Sequence, residues 1–127
     1  MDIEISNPIK MQFDLQEFDD HLPSLKFTVG LISSKFGFDL NVKTGVWIEC
    51  QNFDNFVKDL GAGRRASLVD IENNFMLEID SNSRHLDWSL KKNGLDGGEV
   101  MISGRELLTI DACSVIYNSF FNYPKWW

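Results

Sequence analysis

Two runs of alternating residues, FMLEID at Phe75 to Asp80 and HLDWSL at His85 to Leu90, carry the polar constellation with the clearest geometry in the chain. Joined by the turn Ser81-Asn82-Ser83-Arg84, they pair Ile79 with Leu86, Leu77 with Trp88 and Phe75 with Leu90 on one face. The opposite face then holds Glu78 across from Asp87 and Asp80 across from His85, with Asp70 and Glu72 on the adjoining strand and turn. Two carboxylates directly opposed across an antiparallel pair repel, at a cost of up to about 1 kcal/mol. Three accounts compete for this arrangement: a solvated face whose charges are screened, a carboxylate and histidine metal site, and an acidic patch awaiting a basic protein. Metal ions favour ligands that converge in a concavity, which is not the shape of a flat strand face.

Other chemistry has less support. The histidines are His21 in a connection and His85 at a strand start, and no serine or cysteine sits at a sharp strand-to-helix turn of the nucleophile type. Cys50 and Cys113 both fall in apolar patterns and read as inert buried thiols of a reducing compartment. Gly61-Ala62-Gly63-Arg64-Arg65 has residues that suit a phosphate, but the glycines follow a helix and precede a strand, which is the reverse of a phosphate loop. A helix cap followed by a linker accounts for it.

The elements that position these residues are organised around TGVWIECQNFDNFVKDLG, Thr44 to Gly61. Val46, Ile48 and Cys50 alternate as in a strand; Phe53, Phe56, Val57 and Leu60 then recur as on one face of a helix. The spacing predicts a helix from Gln51 or Asn52, capped by Asn52, with Asp54 in its first turn and Gly61 left-handed at its end. Before it, Asp2 to Leu15 reads as a hairpin folded about Asn7, with Ile5 opposite Ile9 and Ile3 opposite Met11. Leu25 to Val42 reads as another, turning at Ser33-Ser34-Lys35 with Leu31 opposite Phe36 and Leu25 opposite Val42, before Lys43-Thr44-Gly45 leads into a strand at Val46 to Cys50. After the helix, Ala66 to Ile71 pairs with Phe75 to Ser81 through the loop Glu72-Asn73-Asn74, placing Ile71 opposite Phe75 and Val69 opposite Leu77. A bulged strand from Glu99 to Ile110, kinked at Gly104, leads to a helix from Asp111 to about Phe121 with Val115, Ile116 and Phe120 inward. Trp126 and Trp127 form either a packed tail or an exposed aromatic contact. The expected fold class is α+β: an antiparallel meander of about seven or eight strands with two helices, one after Cys50 and one C-terminal.

The global numbers suit one domain, residues 1–127. A chain of 127 residues with 43% hydrophobic content can bury a core without disulfides or metal. No apolar run approaches the ~20 residues of a membrane span, and no charged-then-apolar leader opens the sequence, so a cytoplasmic protein is expected. The net charge of −7 opposes nucleic-acid binding and favours a basic partner, although a modest acidic excess also serves solubility alone.

Three segments, GVWIECQNFDNFVKDL, ASLVDIENNFMLEI with HLDWSLK, and LLTIDACSVIYNSF, occur in an order that resembles the WapI-type immunity protein family. These are small bacterial proteins that protect a cell from a polymorphic toxin. The likeness runs from Leu25 to Phe121 and leaves out the first 24 residues and the Trp126-Trp127 tail. It implies a cytoplasmic, non-enzymatic protein without cofactor or metal, a monomer when free, that binds a cognate toxin of the kind delivered by contact-dependent systems. Binding surfaces vary within the family, so no residue roles carry over. An acidic protein can occupy the basic cleft of a nuclease-type toxin, and here Glu72, Glu78, Asp80 and Asp87 are the candidate contacts. The alternative from another class is a small metal-dependent hydrolase or carbohydrate-binding module using the carboxylates, His85 and aromatics such as Trp47; a structural subunit of a larger assembly is the third.

Overall fold

The alternating runs form strands, and the two runs of helical period form helices. The computed structural model describes residues 2–127. The order is β1 (Ile3–Ile5), β2 (Lys10–Asp19), β3 (Ser24–Lys35), β4 (Phe38–Glu49), α1 (Cys50–Gly61), β5 (Ala66–Val69), β6 (Phe75–Asp80), β7 (His85–Asn93), β8 (Glu99–Leu107) and α2 (Ile110–Phe121). This is an α+β fold. Its strands make two antiparallel meanders of four, β1-β2-β3-β4 and β5-β6-β7-β8, with α1 as the passage between them. Among the described residues no helix is long and apolar enough to cross a membrane.

Both sheets and both helices contribute to one core. Phe13 of β2 lies edge-on to Phe75 of β6 at 5.9 Å and to Phe120 of α2 at 5.5 Å, so a single ring joins three layers. α1 buries Phe53, Phe56, Val57 and Leu60, the stripe its spacing predicts, together with Cys50, which the alternation assigns to the preceding strand. It packs against β5 and α2, and α2 packs against β1. The helices therefore cover the β1 and β5 edges of the two sheets, whereas β4 and β8 are the outer strands at the other side.

Strand facing follows the alternation nearly throughout, but several registers differ from expectation. β1 and β2 pair Ile5 with Met11 and Ile3 with Phe13, two residues along from the predicted partners, around a turn with a cis Asn7–Pro8 bond. β3 and β4 turn at Phe36-Gly37, both with positive φ (54° and 79°), the pattern of a type I′ hairpin. That moves the partner of Leu31 from Phe36 to Val42 and makes Phe38–Glu49 one continuous strand through Lys43-Thr44-Gly45. Both shifts are even, so strand residues keep their faces, but Phe36 in the turn and Phe38 at the start of β4, expected inward, lie beyond the core at 94% and 77% exposure.

The β5–β6 register departs by one residue: Leu68, not Val69, faces Leu77. The cause is Asp70, which turns inward and accepts hydrogen bonds at Oδ1 from the amides of Asn74 (2.7 Å) and Phe75 (2.8 Å), lengthening the loop. Ala66 and Leu68 are buried in consequence.

At the helix ends, α1 begins at Cys50, whose amide donates to the Pro23 carbonyl at 2.9 Å. Asn52 does not cap it; its Oδ1 accepts from the Val69 amide at 3.0 Å and ties the helix to β5. Asp54 lies beyond the first turn and accepts from the Trp127 indole at 3.2 Å, which packs that half of the aromatic tail. The left-handed residue after α1 is Gly63 (φ 72°) rather than Gly61, against which the Tyr117 ring is packed. β8 runs without a bulge from Glu99 to Leu107; Gly104 is needed because a Cβ there would lie 2.6 Å from the Trp88 indole. α2 is capped by Thr109, whose Oγ1 accepts from the Ala112 amide at 3.1 Å, and Val115 points outward.

Candidate functional site

The β6–β7 register is the expected one at every pair, including Leu77 with Trp88, Glu78 with Asp87 and Asp80 with His85. Trp88 is buried. With a tryptophan fixed inward, the alternation sends Glu78, Asp80 and Asp87 to the outer face, and the flanking strands add to them. Ser67, Glu78, Asp87 and Arg105 stand in one row across β5, β6, β7 and β8.

This row explains how two opposed carboxylates are tolerated. Arg105 grips Asp87 with two hydrogen bonds, Nε at 2.7 Å and a terminal nitrogen at 3.1 Å. On the other flank Arg65 lies 3.4 Å from both Glu78 and Asp80, and the Ser67 hydroxyl donates to Glu78 at 3.2 Å. The Arg105 hydrogen bond holds the Asp87 carboxyl below the usual carboxylate range, and Asp87 in turn raises the Arg105 guanidinium. Asp80 is held low first by the backbone amide of Ser83, with the Asn82 amide and Arg65 adding to it. Three carboxylates thus face two guanidiniums on the outer side of the sheet, with His85 beside them. The face is a mosaic of paired charges rather than a bare acidic patch.

Glu72 is not part of this group. It sits in the loop before β6, at the opposite end of that strand from Asp80, and accepts from the Asn74 side chain at 3.2 Å. There it lines a cleft of about 100 Å³ with Trp47, Asp70, Asn74 and Lys91. Among the described residues no three histidine, cysteine, aspartate or glutamate side chains are grouped to hold a metal ion. Both cysteines are free thiols whose pKa is raised by burial, Cys50 the more deeply enclosed.

Three charged residues with structural weight were not singled out by sequence reasoning. Residue pattern alone places Arg65 in a linker and Arg105 in a kinked segment; a straight β8 is what brings Arg105 opposite Asp87. Glu106 is buried, pairs with Lys35 from the other sheet, and accepts weakly from the Trp88 indole at 3.5 Å. Its inward position was available in the alternation Ile102, Gly104, Glu106, Leu108. Comparison of the chain with protein-family models, with curated proteins and with solved structures returned no match.

Proposed function

We propose that this chain is an immunity protein: it binds a cognate bacterial toxin and neutralises it by occlusion rather than by chemistry, in the cytoplasm. The observation that supports this reading is the outward face of β5 to β8, where Glu78, Asp80 and Asp87 alternate with Arg65 and Arg105 on a sheet whose other face is locked into the core. A polar pattern whose side chains are already oriented by one another loses less conformational freedom on docking and can match a complementary pattern of charges. The net charge of −7 adds long-range attraction for a basic partner such as a nuclease-type toxin domain. Because the arginines neutralise most of the local charge, this face contributes register and specificity, and the whole molecule contributes steering.

The test is co-expression with the toxin domain encoded beside it, together with affinity measured across a range of salt. Glu78→Lys combined with Asp87→Lys should weaken binding, flatten its salt dependence and lose protection of the cell, while circular dichroism keeps the spectrum of the parent chain. Unchanged protection and affinity would remove this face from the interface; failure of the parent chain to protect would remove the reading itself.

A further inference from the structure

Beside its buried stripe, α1 carries Asp54, Lys58 and Gly61 at helical spacing on the side that meets α2. On α2, Tyr117 and Phe121 stand one turn apart with their rings stacked at 5.3 Å. A Cβ on Gly61 would lie 2.7 Å from the Tyr117 ring, so glycine is what lets that ring close onto α1. Asp54, nearer the start of α1, meets Lys125 just beyond α2 at 2.7 Å. The two helices thus pass one another in opposite directions and touch at both ends of a trough of about 600 Å³. Buried Val57 lies at its base, and Lys58 of α1 and Phe121 of α2 line its sides.

Shape, rings and charge each restrict what this trough can hold. Its volume falls within the ~300–1,000 Å³ of small-molecule sites, and the contacts at both ends exclude a partner helix lying along it. Phe121 is 58% exposed, so the Tyr117–Phe121 stack offers a platform to a further ring. The Asp54 carboxylate is taken up by Lys125 and the Trp127 indole, and that of Asp59 by Arg64 at 2.9 Å. Lys58, on the same stretch of α1, is left without an ion-pair partner among the described residues. One carboxylate against two ammonium groups makes the lining net positive in a protein of net charge −7.

We propose that the trough between α1 and α2 binds a small aromatic anion, a planar ring carrying a carboxylate or sulfonate. The ring lies against Phe121 and Tyr117 above Val57, and the anionic group meets Lys58. This goes beyond the toxin reading and does not depend on it, since the trough is separate from Glu78, Asp80 and Asp87.

The probe is naphthoate, titrated into the full chain and followed by amide chemical shifts, with naphthylmethylammonium as the same ring in the opposite charge. Saturable binding of naphthoate is expected, with shift changes confined to residues 54–62 and 117–125. Lys58→Glu should lower its affinity by about tenfold, and Phe121→Ser by at least as much. Both side chains are exposed, so each variant keeps the fold, which circular dichroism checks. The proposal is overturned by any of four results: no saturable binding, equal binding of the ammonium compound, shift changes centred on another exposed aromatic group such as Phe36 and Phe38, or a self-associating chain whose dimer is broken by Phe121→Ser, which would assign the trough to a second copy. Protection against a toxin is read in a different assay, so the two readings fail separately.

Discussion

Asp87 and Arg105 illustrate how a single cross-strand pair determines the character of a surface. The bidentate contact lowers the Asp87 pKa, so its stabilising contribution is complete above the ordinary carboxylate value, about 3.9, and is lost as pH falls through the lower folded value. Replacing Arg105 with Gln should raise the Asp87 midpoint towards that ordinary value, read from its carboxyl carbon shift in an NMR titration. The same change should leave the denaturant midpoint at neutral pH little altered, because the Arg105 side chain is largely open to solvent. The position of Asp87 opposite Glu78 was legible from the alternation of two strands alone. Its arginine was not, since Arg105 reaches it only if β8 runs straight past Gly104, whose missing Cβ leaves room for the Trp88 indole packed against it.

Among the elements, α2 shows how a local choice between caps is decided. Asp111 and Thr109 both have side chains that suit the first position before a helix, and the chain uses Thr109, with Asp111 then placed in the first turn where its charge suits the dipole. Thr109→Ala should destabilise the protein by about 1 kcal/mol in thermal or denaturant unfolding, whereas removal of Asp111 should cost only a few tenths. The choice begins α2 at Ile110, one residue before Asp111, and sets which residues face inward: Ala112, Ile116 and Phe120 are buried and Val115 is not. Periodicity found two of these; the third inward residue, Ala112, follows from where the helix begins. The same lesson holds at Asn52, whose carboxamide satisfies a strand amide in β5 instead of the helix it seemed placed to cap.

For the molecule as a whole, the two sheets are joined by apolar packing at their centre and by one charged contact at the open side. Lys35 of β3 pairs with the buried Glu106 of β8, from one sheet to the other. Lys35→Met should cost about 1–3 kcal/mol in denaturant unfolding, since it leaves a buried carboxylate with only the Trp88 indole as partner. Adding Glu106→Gln to that variant should recover part of the loss, because the amide keeps the indole acceptor without the charge; a double variant no more stable than the single one would show that the contact is not a clasp. This contact had no counterpart in the sequence reading, because its residues are far apart in the chain and meet only where the second meander folds back over the first.

Alternation and helical spacing by themselves determined the fold class, the two helices, the inward residues of β6, β7 and α1, and the opposition of Glu78 to Asp87 and Asp80 to His85. Those depend on periods of two and of 3.6 residues, which a chain displays before it folds. Tertiary structure decided the rest: the division into two sheets, the registers of the hairpins turning at Asn7–Pro8 and Phe36-Gly37, the inward turn of Asp70, and the neutralisation of the carboxylate face by Arg65 and Arg105. An even shift of register keeps every side chain on its own face, so alternation cannot distinguish one such pairing from another; only packing against the second sheet and the helices selects among them.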